Sequence, residues 1–432
     1  MQTEVQSGRS RLFSNIAWLF ADRVVRLGVG LLVGVWLARY LGPADFGLLN
    51  YVMAVTALFT TIGALGLNEI VVRDLVSQPE EAGTTLGTAM LLQVAGGILA
   101  FVAAMGTIVV MRPGEPYTWA IMALFAISLL GQCGDTMRAW FEAQVQSRIT
   151  VLVANGVFAV MTVLRVIGIL AKLPLPWFAL LSGLELLLSG VLLVLAIRRT
   201  EPVGPAAMAN WRFNRDRAVQ MLQNSWPLAL ASVAVTLNMR IDQVMLGQMV
   251  SDKAVGLFSA AVRVSEVWYF IPVAIVASAF PFIAGQSDKA VVDLRWRQLY
   301  AGMFWLSLAA GVSATLFGEA FIRLLFGDAY APAGGILVVH IWSGFSIALG
   351  LVWTRWIVLE NRPRMQLFAQ ALGAAINIAL NLVLIPRMGV IGAAWATLAS
   401  YWISGIFSFC IYKPRVTFGY LAAVVTPWRL FA

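Results

Sequence analysis

Residues 14–47 read SNIAWLFADRVVRLGVGLLVGVWLARYLGPADFG, and this stretch decides the fold class. The part at 14–39 is mostly apolar, although it contains Asp22, Arg23 and Arg26. A helix over this length, at about 1.5 Å per residue, is long enough to cross about 30 Å of hydrocarbon. Its length and its charges are not those of a cleavable signal peptide, which has a shorter, uncharged apolar region. We therefore expect a retained transmembrane helix.

The composition extends this prediction to the whole chain. Of its 432 residues, 60% are hydrophobic and 12% are charged, whereas soluble domains are about 45–50% apolar and about 25% charged. So few charges cannot solvate the surface of a soluble enzyme. The chain has two cysteines, which excludes a disulfide scaffold. The composition predicts an integral membrane protein built from α-helices.

Twelve apolar segments, each long enough to span a bilayer, follow one another along the sequence. They lie at residues 14–39, 45–69, 85–111, 117–138, 149–171, 175–197, 221–249, 255–284, 298–318, 333–358, 365–386 and 389–412. We expect an all-α membrane fold of two six-helix bundles related by a pseudo-two-fold axis along the membrane normal. The predicted domains are an N-terminal bundle at 1–200, a cytoplasmic joint at 201–220, a C-terminal bundle at 221–412 and a cytoplasmic or interfacial tail at 413–432.

A weak internal repeat supports the division into two halves. Asn15 to Gly47 and Asn224 to Gly256 both span 32 residues. Around the second landmark of each pair, the segment 46–49 (FGLL) aligns with 255–258 (VGLF). Parallel repeats are typical of transporters, with the substrate site between the two halves.

Lysine and arginine are distributed unevenly among the predicted loops. With a cytoplasmic N-terminus, the seven cytoplasmic segments contain 18 Lys and Arg residues and the six opposite loops contain six. Basic residues are enriched on the cytoplasmic side of membrane proteins, so we expect both termini to be cytoplasmic. The same enrichment explains the net charge of +9 better than nucleic-acid binding does.

Motifs of enzymes and of metal or nucleotide sites are nearly absent. The chain has one histidine, His340, so a multi-histidine metal site cannot form. No Gly-rich loop precedes a lysine in the pattern that binds phosphate. We expect a transporter rather than an enzyme, with no metal and no cofactor, driven by an ion gradient or by the membrane potential.

Arginines predominate among the charges inside the predicted spans. Each charge costs at least ~2.5–3.5 kcal/mol if it faces lipid at mid-span, so we expect these residues to face a cavity or a partner. Guanidinium groups bind phosphate oxygens in bidentate geometry and stay charged when desolvated. The predicted substrate-binding residues are therefore Arg23, Arg26, Arg165, Arg240 and Arg263, together with Asn224 and Tyr269.

Four acidic residues in the spans are candidates for ion coupling: Asp22, Glu185, Asp242 and Glu266. Each also has a purely structural explanation. Asp22 and Arg26 are spaced i,i+4, and Arg263 and Glu266 are spaced i,i+3, so both pairs share a helix face. Glu185 has no basic residue nearby in sequence; it is either protonated or paired with a cation from another helix.

Three stretches resemble one known family, the polysaccharide-biosynthesis flippases of the multidrug/oligosaccharidyl-lipid/polysaccharide exporter superfamily. They are Asn15–Trp18 with Leu37–Gly47, Ile241–Gly247 with Ala254–Gly256, and Gly389–Ala394. The segment 39–47 (RYLGPADFG) is the most specific of them. The resemblance covers essentially the whole chain.

The resemblance implies a flippase that moves an undecaprenyl-pyrophosphate-linked oligosaccharide, such as an O-antigen precursor of lipopolysaccharide, to the outer leaflet of the bacterial inner membrane. It implies alternating access and arginines in the cavity, at Arg26 and at Arg240 or Arg263. The expected partners are the lipid-linked oligosaccharide, membrane lipid, a polysaccharide polymerase and a chain-length protein, but no nucleic acid. The alternatives are a cation-coupled multidrug exporter, a lipid II flippase and a membrane scaffold without transport activity.

Overall fold

The computed structural model describes the backbone of residues 2–201, 203–359 and 363–407, and of positions 409, 410, 414, 419, 420 and 424. The side chains of 2–25, 358, 359, 363 and 364 are outside the description. Two of the predicted site residues, Asp22 and Arg23, therefore have side chains outside the described residues. Most of the predicted tail at 413–432 is also outside them.

Within the described ranges the chain is helical and contains no strand. The helices are α1 (Gln2–Gly63), α2 (Asn68–Ser77), α3 (Ala82–Met111), α4 (Pro116–Ala126), α5 (Cys133–Ala143), α6 (Ser147–Leu170), α7 (Leu175–Thr200), α8 (Arg215–Met249), α9 (Asp252–Ala284), α10 (Lys289–Phe326), α11 (Ala333–Leu359), α12 (Pro363–Met388) and α13 (Val390–Trp402). Short 3₁₀ turns occur at Pro79–Glu81, Ile127–Gln132, Met208–Asn210 and Asp328–Tyr330, and a π turn at Ile403–Phe407 follows α13.

Ten stretches of the described chain are long and apolar enough to cross a membrane. The first, Arg26–Ser77, joins two of the predicted spans. Helix α8 is the remaining predicted span: it has 35 residues, but Asn238, Arg240 and Asp242 interrupt its apolar sequence. The first two predicted spans share α1, and the others lie in separate helical segments of the described chain. The all-α membrane fold is confirmed.

The packing of the chain divides it into two compact units. Unit 1 consists of Met1–Tyr40 and Val52–Val233, and unit 2 of Leu41–Tyr51 and Ala234–Ala432. The division in the second half of the chain thus falls within α8, after the predicted joint at 201–220. The segment Leu41–Tyr51 is separated from its sequence neighbours and packs with unit 2. The predicted domain boundaries follow membrane spans rather than packing, and they stay a prediction.

Unit 1 depends on close approaches between helix backbones. A Cβ added to Gly134 in α5 would lie 2.5 Å from the Cα of Gly190 in α7, so only glycine permits this crossing. Small residues at such crossings are typical of membrane helices, whose association depends on van der Waals packing rather than on expulsion of water. The 3₁₀ turn at Ile127–Gln132 joins α4 to α5 within this region.

Unit 2 has a core of large aromatic side chains. The indole of Trp353 in α11 stacks on Phe409, with ring centroids 5.0 Å apart, and on Tyr420 at 5.4 Å. Trp296 and Tyr300 from α10 are buried in the same cluster. These rings fix α10, α11 and the chain that follows the π turn to one another.

The segment Leu41–Tyr51 is held in unit 2 by a reciprocal contact between the two repeat-related glycines. Gly42 has φ 73° and interrupts the helical geometry of α1 just before Pro43. A Cβ on Gly47 would lie 1.7 Å from the carbonyl oxygen of Asp252, and a Cβ on Gly256 would lie 1.9 Å from that of Pro43. The sequence repeat therefore corresponds to a physical contact between its two copies.

Side chains on both sides of Gly47 strengthen this attachment. Gln248 Nε2 donates a hydrogen bond of 2.5 Å to the hydroxyl of Tyr51. The ring of Phe46 lies edge-on to Tyr330, with centroids 6.1 Å apart. Burial raises the pKa of Tyr330, and the nearby Arg263 partly opposes the rise. The tyrosine therefore stays neutral at ordinary pH.

Replacing Gly47 by alanine should destabilise the protein by about 1–3 kcal/mol, because the new methyl group overlaps a backbone oxygen that no side-chain rotation can remove. The measurement is the thermal midpoint of the purified protein in detergent. The control is Gly106→Ala in α3, where an added Cβ meets no atom within 4 Å. Equal midpoints for the two variants would contradict the proposed contact.

Candidate functional site

Arg26 lies in unit 1, on α1, and is positioned by two side chains of α6. Its Nε donates a hydrogen bond of 2.6 Å to Asn155 Oδ1. Its Cζ lies 5.3 Å from the centre of the Phe158 ring, within the range of a cation–π contact. An amide and an aromatic ring of α6 thus orient the Arg26 guanidinium together.

Glu185 on α7 meets a cation from another helix. Arg165 Nη2 on α6 lies 2.6 Å from Glu185 Oε2 and 3.3 Å from the hydroxyl of Ser182. The two charged side chains are only 16% and 27% exposed. Of the two explanations given for Glu185, pairing with a cation is the one the structure supports. The same contact neutralises Arg165, which was predicted to bind substrate.

Unit 2 contains a second ion pair between neighbouring helices. Arg240 Nη1 on α8 lies 3.4 Å from Glu266 Oε1 on α9. The spacing of Arg263 and Glu266 pointed to a pair within α9, but it did not predict this partner. The guanidinium of Arg263 lies over the ring of Phe46, 5.3 Å from its centre, next to the segment Leu41–Tyr51.

Asp242, near the C-terminal end of α8, is held by neutral hydrogen-bond donors. The side chain is buried, with the residue 2% exposed. Asn381 Nδ2 on α12 donates to Oδ1 at 2.5 Å, and Thr397 Oγ1 on α13 donates to Oδ2 at 2.8 Å. No described lysine or arginine forms an ion pair with this carboxyl group, in contrast to Glu185 and Glu266.

The hydrogen bonds around Asp242 extend over one more layer of side chains. Asn381 also donates to Asn377 Oδ1 at 2.7 Å, and Asn377 donates to Ser400 Oγ at 3.3 Å. Ser400 in turn donates to Asn238 Oδ1 at 3.3 Å. All of these residues are buried. We call the six residues the Asp242 cluster: Asn238, Asp242, Asn377, Asn381, Thr397 and Ser400.

Two polar atoms of the Asp242 cluster are buried and have no hydrogen-bond partner among the described residues. They are Asn238 Nδ2 and Asn381 Oδ1. Most buried polar groups in proteins are hydrogen-bonded, so such atoms indicate a place for a small polar species. The π turn at Ile403–Phe407 begins just after Ser400, and π turns inside helices are frequent at functional sites.

The remaining predicted residues lie in different surroundings. Asn224 is exposed on the first part of α8, in unit 1. The hydroxyl of Tyr269 lies 3.2 Å from Ser343 Oγ, in unit 2. His340 is buried, with Nδ1 at 2.8 Å from Ser265 Oγ. Each unit thus contains predicted site residues, and each described guanidinium predicted to bind substrate has a protein partner.

Sequence reasoning named Asp242 but missed the hydrogen-bond donors that surround it. Asn377 and Asn381 are spaced i,i+4, and Thr397 and Ser400 are spaced i,i+3, so each pair shares a helix face. That spacing is visible in the sequence and indicates two polar faces inside apolar spans. The spacing does not show that both polar faces contact α8.

Comparison with known proteins gives both a family match and similar individual proteins. The family described as "Polysaccharide biosynthesis protein" matches residues 12–286. The probable flippase AglR of Haloferax volcanii is 28% identical over 175 residues, which is 39% of this chain and 36% of that protein. The probable multidrug resistance protein NorM of Caulobacter vibrioides is 26% identical over 192 residues, covering 41% of this chain and 40% of that protein. The chain therefore matches well under half the length of these relatives.

Solved structures show similarity over almost the whole chain. The lipid II flippase MurJ in an inward closed conformation has a TM-score of 0.77 at 14% identity, covering 96% of this chain and 91% of that one. An inward-facing multidrug resistance MATE family transporter of the MOP superfamily has a TM-score of 0.74 at 13% identity, covering 91% and 94%. At such low identity these similarities establish the fold alone.

Replacing Arg165 by alanine should destabilise the protein by about 3–5 kcal/mol, because it leaves the Glu185 carboxylate unpaired in a low-dielectric region. Thermal unfolding in detergent measures the effect. Replacing both residues, as Arg165→Met with Glu185→Leu, should restore most of the loss. The control is Arg323→Ala, which breaks an exposed pair with Glu319 and should cost at most about 1 kcal/mol. If Arg165→Ala is as mild as this control, the pair has no structural role.

Proposed function

The chain belongs to the polysaccharide biosynthesis protein family, and we propose that it is a flippase for an undecaprenyl-pyrophosphate-linked oligosaccharide. It would move this lipid from the inner to the outer leaflet of the bacterial inner membrane, with both chain termini in the cytoplasm. The observation that carries the proposal is Arg26, a guanidinium in a transmembrane helix that Asn155 and Phe158 orient. The likeness to a probable flippase in sequence supports it.

The chemistry of the cargo explains why a guanidinium is needed. An ionised diphosphate is very costly to move through hydrocarbon, because its hydration is lost without replacement. A guanidinium offers several N–H donors in a fixed plane and stays charged when it is desolvated. In our proposal Arg26 binds the diphosphate and the polyprenyl chain stays in the lipid. Arg23, Arg240, Asn224 and Tyr269 are proposed to contact the head group at other stages of the movement.

We further propose that Asp242 is the coupling residue. Glu185 and Glu266 are each paired with an arginine, so a change in their charge would break an ion pair. Asp242 accepts hydrogen bonds only from neutral donors, the Asn381 amide and the Thr397 hydroxyl, and the buried Asn381 Oδ1 has no hydrogen-bond partner among the described residues. A carboxylate beside an unbonded amide oxygen suits a proton or a small monovalent cation. The roles proposed for Arg165 and Arg240 in binding substrate are weaker than that of Arg26, because their charges are already neutralised by Glu185 and Glu266.

The alternative is a multidrug exporter, to which the likeness with NorM points. Exported drugs of that class are usually cationic. Excess arginine inside the spans argues against such a cargo, because like charges repel in a low dielectric. A lipid II flippase would share the anionic cargo proposed here, and the glycan test below separates the two.

Replacing Arg26 by alanine should lower surface glycan at least tenfold in a strain that relies on this protein, because a charge-assisted hydrogen bond contributes about 1.5–3 kcal/mol. Arg26→Lys should give an intermediate loss, since lysine keeps the charge without the planar donors. The control is Arg323→Ala, an exposed arginine, with membrane levels of all variants equalised by immunoblot. Undiminished glycan in Arg26→Ala would overturn the cargo role, and viability loss without glycan loss would favour lipid II.

Replacing Asp242 by asparagine keeps the shape of the side chain and removes its charge. We expect flipping in proteoliposomes to lose its dependence on an imposed pH or sodium gradient, while cargo binding is retained. Glu266→Gln is the matched control, because this acid is paired with Arg240, and its gradient dependence should remain. Coupling at Asp242 is wrong if the asparagine variant responds to the gradients as the wild type does.

A further inference from the structure

The chain between α7 and α8 forms an ordered loop rather than an extended linker. The indole of Trp211 donates to the carbonyl oxygen of Ala206 at 2.9 Å. The side-chain amide of Asn210 donates to the carbonyl oxygen of Gly204 at 2.7 Å, and its backbone N–H donates to that of Ala207 at 2.8 Å. These bonds close the 3₁₀ turn at Met208–Asn210 and give the loop a defined surface. We call residues 203–215 the α7–α8 loop.

The α7–α8 loop is fixed to the first two turns of α3. A Cβ on Gly87 would lie 2.6 Å from the backbone nitrogen of Arg212, so the loop backbone touches the helix directly. Thr88 Oγ1 donates to the carbonyl oxygen of Arg212 at 3.4 Å and accepts from the N–H of Asn214 at 3.1 Å. The loop therefore moves with unit 1 and cannot swing freely.

The length of α3 places this loop at the level of the lipid head groups. The span that contains α3, Pro79–Met111, has 33 residues. At about 1.5 Å per residue it is about 50 Å long, well beyond the hydrocarbon core of about 30 Å. Glu80 and Glu81 at its start are charged and exposed, and charged side chains avoid the hydrocarbon. We therefore place this end, and the α7–α8 loop beside it, outside the hydrocarbon.

The α7–α8 loop exposes both apolar and cationic side chains. Val203 is 84% exposed and Phe213 is 53% exposed, and Met208 is exposed as well. Arg212 and Arg215 are also exposed. Arg217 differs from them, because it turns inward to Asp74 at 3.4 Å and Thr85 at 3.3 Å. Arg217 is thus paired internally, whereas Arg212 and Arg215 stay exposed on both sides of the exposed Phe213 in the same loop.

We propose that the exposed face of the α7–α8 loop binds anionic phospholipid of the adjacent leaflet. The surface consists of Val203, Met208, Arg212, Phe213 and Arg215. Exposed apolar side chains beside basic ones are typical of segments that lie in the membrane interface. A basic side chain near an anionic lipid surface contributes about fivefold to binding. A soluble acidic protein would match the guanidinium groups, but it would not sit at head-group depth, where bilayer lipid already occupies the space.

A fluorescent label at position 213 tests the proposal on the full-length protein. Phe213→Cys is made in a background in which Cys133 and Cys410, the two natural cysteines, are replaced by serine. The cysteine is labelled with an environment-sensitive dye, and the protein is reconstituted in phosphatidylcholine vesicles. Traces of spin-labelled phosphatidylglycerol or spin-labelled phosphatidylcholine are then compared as quenchers. We expect stronger quenching by phosphatidylglycerol, and loss of this preference in high salt, where surface charge is screened.

Variants that remove the two arginine charges test whether these charges cause the preference for anionic lipid. Arg212→Gln with Arg215→Gln should lower the preference for phosphatidylglycerol by up to about 30-fold. The matched control is Arg323→Gln, an exposed arginine on α10, which should leave it unchanged. Circular dichroism and gel filtration confirm that each variant is folded. Equal quenching by the two lipids overturns the preference for anionic lipid, and a dye in a fully aqueous environment overturns docking on the membrane altogether.

Discussion

A charge inside a hydrocarbon layer needs a partner, and this requirement determines which helices pack together. Arg165 and Glu185 join α6 to α7, and Arg240 and Glu266 join α8 to α9. Asp242 joins α8 to α12 and α13 through an amide and a hydroxyl. In a soluble protein such contacts contribute little, because water competes for both partners. In a membrane the alternative is an unpaired charge at a cost of several kcal/mol.

The kind of partner distinguishes charges with a structural role from charges that can still bind an ion. An arginine beside a carboxylate gives a neutral unit, and binding a further ion there would mean breaking it. A carboxylate held by neutral donors has a charge that no cation compensates. It can therefore take up a proton or a cation without breaking an ion pair. Asp242 is of the second kind, and two atoms of its cluster still lack hydrogen-bond partners. This difference is the reason we propose Asp242, rather than Glu185 or Glu266, as the coupling residue.

Hydropathy was sufficient to predict the helices, because each span must cover the hydrocarbon by itself. The pairing of charges was harder to predict, since the partners lie on different helices and the spacing within one helix does not identify them. Glu185 illustrates this: the sequence left protonation and pairing open, and the answer lay 20 residues away, on the preceding helix. The packing of the segment 203–215 against Gly87 and Thr88 was not predicted, because these two small positions in α3 carry no signal of their own. The family resemblance seen in three short stretches is confirmed by the match over residues 12–286.

The placement of Leu41–Tyr51 has a consequence for biosynthesis. Tyr51 bonds to Gln248, a residue 197 positions later, and Gly47 packs against Asp252 and Gly256. At a synthesis rate of about 5–20 residues per second, the ribosome needs roughly 10–40 s to produce these partners. During that interval the first helical hairpin is already in the bilayer without its final contacts. The N-terminal helices therefore cannot reach their mature arrangement until α9 has emerged from the ribosome.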